Sequence, residues 1–263
     1  MGAARVAPRV LATGLVGTEG PTVLPDGRIA VIHADGVTAV APDGASTWLG
    51  SCGGDPNGLA LTADGHLVVA NNGMVGRPGR VPGSIQVLRD GVVTTLVDGL
   101  DAPNDVVVDS DGVIWFTDPR DFWFDEPLRP GRVHRWDGEL TIVQEGLLYP
   151  NGLGFDRHGR LLVAESKTGL LHHVDGGATE VWARCPTGAP DGFTFAANGD
   201  LFVCCFDVGI IYRFDEGGTV IDEFSTGPDT WPTNCTIGHD GVLYVTESKQ
   251  GQLLAYDLDL AVD

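Results

Sequence analysis

Six residues share one register in this chain: Glu19, Asn57, Asn104, Asn151, Asp191 and Thr233. Each precedes a turn glycine by eight positions, the glycines being Gly27, Gly65, Gly112, Gly159, Gly199 and Gly241. Two carboxylates, three amides and a hydroxyl supply oxygen donors only, with no imidazole or thiolate among them. Such a set suits one hard divalent cation, calcium first and magnesium or manganese next, with zinc a poorer match. A cation of that kind polarises a carbonyl and stabilises the charge that grows on its oxygen as water attacks. Asn and Asp before Gly also serve simply as turn formers. Glu19 resists that reading, because glutamate is a poor turn residue and yet keeps the register.

The chemistry requires six positions spread from 19 to 233 to meet, and a repeat supplies the means. The copies run EGPTVLPDGRIAVIH from Glu19, PNGLALTADGHLVVAN from Pro56, PNDVVVDSDGVIWFTD from Pro103, PNGLGFDRHGRLLVAE from Pro150, PDGFTFAANGDLFVCC from Pro190 and PTNCTIGHDGVLYVTE from Pro232. Each reads as a hairpin around an Asp-Gly, Asn-Gly or His-Gly turn. The marks are 38, 47, 47, 40 and 42 residues apart, a spacing that fits a blade of four strands. The expected fold is an all-β six-bladed β-propeller of four-stranded antiparallel blades, one domain over 1–263. Its innermost strands line a central channel and bring the six marks onto one ring. The last copy lacks an outer strand after GQLLAYD, so RVLATGLV near the N-terminus is expected to close that blade and leave no bare edge.

A second ring follows from the same geometry. The returning strands end at His33, Asn71, Asp118, Glu165, Cys205 and Glu247, which are expected to surround the first ring. Asp118 lies in FTDP, where a carboxylate either acts on substrate or caps the loop before Pro119. Glu165 and Glu247, each followed by Ser-Lys, read as solvated rim charges. His33 titrates in a useful range, but a lone histidine at a strand end is more often structural. Two long loops, 71–83 and 118–132, would stand over the ring. They carry Arg77, Arg80 and Arg120, which could receive a substrate carboxylate, and Phe122, Trp123 and Phe124. Trp231 enters the last blade on the same face.

Composition narrows the partners. A net charge of -20 opposes binding to a phosphate backbone, which depends on Lys and Arg displacing counterions. No run of about 18 apolar residues and no secretory leader is present, so no membrane partner is expected and the cytoplasm is the default location. The five cysteines form no CxxC pair and read as reduced core residues. A small molecule is the remaining class of partner; the oligomeric state is not encoded in any pattern here.

Over essentially its whole length the chain resembles the senescence marker protein/gluconolactonase family, which includes regucalcin and bacterial lactonases. The resemblance is carried by EGP at 19–21, PND at 103–105, FTDP at 116–119, PNG at 150–152 and PDG at 190–192. It implies that Glu19, Asn151 and Asp191 ligate the metal and that Asn104 is a ligand or substrate contact beside it. It also implies a metal-dependent hydrolase opening a lactone, with Asp191, or else Asp118, acting on water. Asn57 and Thr233 complete the ring without an assigned role. The resemblance breaks at Ala102, where regucalcin-like members carry an Arg that contacts a sugar-acid lactone. With the aromatic residues Phe122, Trp123 and Trp231, that break points to a pocket for a lactone or ester less polar than gluconolactone. The alternatives are another metal-assisted reaction, by an esterase, phosphotriesterase, lyase or isomerase, and a non-catalytic calcium- or ligand-binding propeller.

Overall fold

Each copy of the repeated phrase forms the two inner strands of a four-stranded antiparallel sheet, and six such sheets surround one axis. The computed structural model describes residues 7–258; positions 1–6 and 259–263 of the expected domain lie outside the described residues. Blade one pairs Glu19–Val23, Ile29–His33, Gly36–Val40 and Ser46–Ser51 in chain order. Blades two to five follow over 56–100, 106–147, 150–184 and 190–225. Blade six takes three strands from 232–256 and its outermost strand from Arg9–Thr13. That strand runs antiparallel to Gln252–Tyr256, with Arg9 opposite Ala255 and Thr13 opposite Gln252. The ring is thereby closed by pairing the two ends of the chain, as the missing outer strand required.

The burial pattern explains why the second strands read as unbroken apolar runs rather than alternating ones. Each is covered on both faces by neighbouring blades, so Leu161, Leu162, Val163 and Ala164 are all buried. The core is a series of inter-blade layers. Between blades four and five, Leu162 and Leu171 pack with Phe193, Val203, Tyr212 and Phe214. The outermost strands, such as Ala178–Arg184, are mostly exposed to solvent. All five cysteines are free and buried.

The channel is narrow, and the residue after each ring mark decides how it closes. Four copies place Gly there. A Cβ on Gly20 would come within 2.8 Å of the Asn57 carbonyl oxygen, and one on Gly192 within 2.0 Å of the Asn234 side chain. The third and sixth copies instead carry Asp105 and Asn234, side chains close enough for Asn234 to favour the charged form of Asp105. Their surroundings match: the Asp105 N–H donates to Thr117 Oγ1 and the Asn234 N–H to Thr246 Oγ1, each at 3.1 Å. A polar bar therefore crosses the channel floor where glycine in the other blades leaves room for it.

If the first strand is what closes the ring, a chain beginning at Gly14 exposes the edge of Gln252–Tyr256 and loses the burial of Ala12. Its melting temperature should fall by at least about 6 °C, with concentration-dependent association in size-exclusion chromatography. An unchanged melting temperature would mean that blade six closes without it.

Candidate functional site

All six register marks line one cavity of about 390 Å³ at the mouth of the channel. The first turns of the innermost strands hold them there. The Asn151 side chain lies beside the Asp191 carboxyl and the Thr233 hydroxyl beside Glu19, each favouring the charged form of its neighbour. Thr233 Oγ1 also reaches the Thr18 carbonyl at 3.2 Å and Thr246 Oγ1 at 3.0 Å, so its hydroxyl is engaged in the wall. Asn104 Oδ1 is buried with no hydrogen-bond partner, which leaves one amide oxygen of the ring unsatisfied.

The electrostatics are set by burial. Asp191 is buried and Glu19 is open only toward the cavity, so desolvation pushes both carboxyls well above their ordinary range. Repulsion adds to this: Asp191 and then Asp105 act on Glu19, and Asp105 acts on Asp191. Asp105 itself is raised by burial to about 6, although the Val106 N–H and the Asn234 side chain favour its charged form. Three acidic groups thus share one channel segment, an arrangement that favours either protons or a cation. Among the described residues no group of three His, Cys, Asp or Glu side chains forms a metal cage. The donor set is instead two carboxylates with the amide oxygens of Asn104 and Asn151, which fits a hard cation such as calcium.

The second ring does not surround the first. None of His33, Asn71, Asp118, Glu165, Cys205 and Glu247 lines the cavity. Four of them, with Asp207 serving in blade five, accept the N–H groups of the segment that enters the innermost strand of their own blade. Asn71 takes Asp55 at 3.1 Å, Asp118 takes Ala102 at 2.9 Å, Glu165 takes Leu148 at 2.6 Å, Asp207 takes Ala189 at 2.7 Å and Glu247 takes Trp231 at 2.7 Å. The reason lies in the proline that precedes the ring mark in these five blades. Proline supplies no ladder donor, so the donors just upstream find no strand partner and a side chain receives them.

This geometry corrects three expectations. Asp118 is buried, and its two oxygens also take the N–H groups of Asp101 and Arg120; it holds the loop, as a cap before Pro119 would, and is not placed to act on water. Glu165 and Glu247 are buried, not solvated rim charges. Glu165 is also bound by His172 at 3.0 Å and Thr168, and Glu247 by the N–H groups of Lys249 and Gln250. Arg120 lies outside the cavity, with Nε on Asp101 at 3.0 Å and Nη1 on the Pro130 carbonyl.

The other named contacts are where the loops were expected to put them. Asn57, Asn104, Arg77, Phe122, Trp123, Phe124 and Trp231 all line the cavity. The two long loops meet at Gly76, where a Cβ would lie 2.5 Å from Phe122. Three residues were missed. Tyr149 and Phe206 join the aromatic lining, and Asp105 forms the channel floor. Asp105 was detectable as the one acidic residue at a position that is Gly in four copies; Tyr149 and Phe206 belong to no repeated pattern.

Residues 18–249 match the family described as the SMP-30/gluconolactonase/LRE-like region. Among curated proteins, the pentonolactonase XacC of Haloferax volcanii is 29% identical over 191 residues, 62% of this chain and 63% of that protein's length. Among solved structures, the gluconolactonase XC5397 of Xanthomonas campestris superposes with a TM-score of 0.79 at 26% identity, covering 96% of this chain and 91% of that one. A calcium-binding regucalcin from Agrobacterium tumefaciens shares the fold, with a TM-score of 0.77 at 19% identity over 96% and 94% of the two chains.

Two outcomes test the site as described. A carboxyl whose folded pKa is raised opposes folding once pH exceeds its unfolded value, and the penalty vanishes as pH falls below that value. Metal-free Asp191→Asn should therefore melt above metal-free wild type at pH 7.5, by about 2 °C or more, with the gap narrowing toward pH 4; a lower melting temperature at pH 7.5 would contradict the electrostatic account. For Asp118→Ala, three N–H groups lose their acceptor, that of Ala102 buried and those of Asp101 and Arg120 partly so, at about 1–3 kcal/mol for a buried group left unrelieved. Its melting temperature should fall steeply, whereas a loss of turnover with unchanged stability would restore Asp118 as a base.

Proposed function

Because the chain belongs to the SMP-30/gluconolactonase/LRE-like family, we propose that it is a metal-dependent hydrolase that opens a lactone ring. The single observation that carries the reading is the convergence of six oxygen donors on one cavity, with two carboxylates held above their ordinary pKa and one buried amide oxygen unsatisfied. Carboxyls perturbed by desolvation and by neighbouring charge inside a cleft are candidates for a functional site. Relatives named pentonolactonase and gluconolactonase support lactone as the substrate class.

Glu19, Asn104, Asn151 and Asp191 would hold one divalent cation, calcium first by the hardness of the donors. When bound, the cation supplies Lewis-acid polarisation of the lactone carbonyl and stabilises the charge that develops on its oxygen. Asp191 positions the attacking water and takes its proton; water oxygen bonds to the carbonyl carbon, the ring C–O bond breaks, and the proton passes to the departing alkoxide. The Asn151 side chain, beside Asp191, would help to fix the carboxylate's orientation. Asn57 and the free amide of Asn104 face the same space and would orient the substrate. Arg77 sits at the rim, paired with Asp55 at 3.0 Å. The anchored loops keep these groups at fixed spacing, and the aromatic lining limits water around the reacting carbonyl.

Protein stripped with chelator and assayed with a pH indicator over a panel of lactones should be inactive and should recover turnover when calcium is added. Asp191→Asn should lose at least about 100-fold in kcat/KM while remaining folded. Calcium binding without turnover of any lactone, ester or phosphotriester would favour a ligand-binding propeller, and turnover that survives the chelator would remove the metal from the mechanism.

A further inference from the structure

The cavity has two chemically different parts. Its floor is the polar ring. Its walls are aromatic: Tyr149, Trp123, Phe206 and Trp231 form a continuous edge-to-face chain, with ring centroids 5.0, 5.2 and 6.3 Å apart in turn. Phe122 and Phe124, with centroids 5.4 Å apart, extend the apolar lining. Lys167 lies 4.1 Å from the Trp123 ring and Lys249 5.1 Å from the Trp231 ring. Neither lysine lines the cavity, so both cations brace the indoles from outside. Phe124 is 67% exposed and Trp231 38% exposed, an unfavourable placement for large apolar rings unless a ligand covers them.

Of the polar side chains above the floor, the arginines and the Asn72 oxygen have partners already. Arg77 is paired with Asp55, Arg80 donates to the Asp101 carbonyl, Arg120 is held by Asp101, and Asn72 Oδ1 accepts the Met74 N–H. Position 102, where the resemblance implied an arginine, is a buried alanine. A polyhydroxylated lactone would lose its hydration without matching partners along these walls, and an anionic one would find no free guanidinium among Arg77, Arg80 and Arg120. A flat apolar group, in contrast, fills the slot and completes the aromatic array.

We propose that the substrate is a neutral lactone bearing a flat apolar substituent, bound with its carbonyl at the ring and its substituent between the aromatic walls. This deepens the lactone-hydrolase reading and rests on it for the identity of the reacting group. The substituent's recognition is a binding property that can be measured apart from hydrolysis.

The test uses the full chain loaded with calcium and a matched series with the same five-membered ring: γ-butyrolactone, γ-phenyl-γ-butyrolactone and ribono-1,4-lactone. The corresponding lactams, 2-pyrrolidinone and 5-phenyl-2-pyrrolidinone, report binding without reaction by calorimetry. Burial and stacking of one phenyl ring should raise kcat/KM for the phenyl lactone about tenfold over the other two, and tighten the phenyl lactam's Kd over 2-pyrrolidinone's by a similar factor. Both ratios should shrink about fivefold in Phe124→Ala and in Trp231→Ala, the first of these altering an exposed loop side chain that the fold does not need. Equal or better use of ribono-1,4-lactone, or phenyl selectivity untouched by both substitutions, overturns the proposal even if lactones are hydrolysed. Selective lactam binding that responds to both substitutions, with no lactone opened, supports the aromatic slot and removes the hydrolysis reading alone.

Discussion

Carboxylates confined together away from bulk water are the constraint on which the rest of this molecule depends. Glu19, Asp105 and Asp191 occupy one segment of the propeller axis, and burial outweighs their hydrogen bonds, so that all three carboxyls are raised. An arrangement that unfavourable persists only when the surrounding structure over-determines it. The closed ring provides that. Six sheets, locked by pairing the N-terminal strand with the last blade, leave the inner strands no room to part and relieve the repulsion. A bound divalent cation would convert the largest local cost into the largest local attraction.

The precision of the ring comes from a device one step removed. In five blades the innermost strand is entered through a proline, which forfeits a ladder hydrogen bond; a side chain at the end of the neighbouring strand, or Asp207 just beyond it in blade five, takes up the donors just upstream. Asp118, Glu165 and Glu247 are therefore charges in the service of backbone geometry. Glu165 shows the sign this produces: its hydrogen bonds to His172, Thr168 and Leu148 overcome desolvation and leave its carboxyl lowered, opposite to the ring acids Glu19 and Asp191. Glutamate is thus raised at Glu19 in blade one and lowered at Glu165 in blade four, according to whether other anions or hydrogen-bond donors face it.

Fold and ring were legible in the sequence because both follow from a period. Marks at one offset from a turn glycine fix which residues share a position in every blade, and closure of the blades then brings them together whatever the loops do. What was not legible lacked a period or depended on direction. The end of the second strand is one residue's alternation away from the ring, and the proline that turns its side chain toward backbone donors is a local effect that register counting does not weigh. Arg120 looked available because its partners Asp101 and Pro130 come from elsewhere in the chain. Tyr149 and Phe206 entered the cavity through the tertiary placement of irregular segments, and the aromatic wall they complete could be only half seen from Phe122, Trp123 and Trp231.

The most direct test of the central claim is a crystal structure of the protein soaked in calcium at millimolar concentration, with anomalous data to identify the ion. The account predicts one calcium in the cavity, about 2.3–2.6 Å from oxygens of Glu19, Asn151 and Asp191, with Asn104 Oδ1 turned toward it directly or through one water. Calcium bound elsewhere, or a ring that stays free of cation while its carboxylates close on each other, would contradict it.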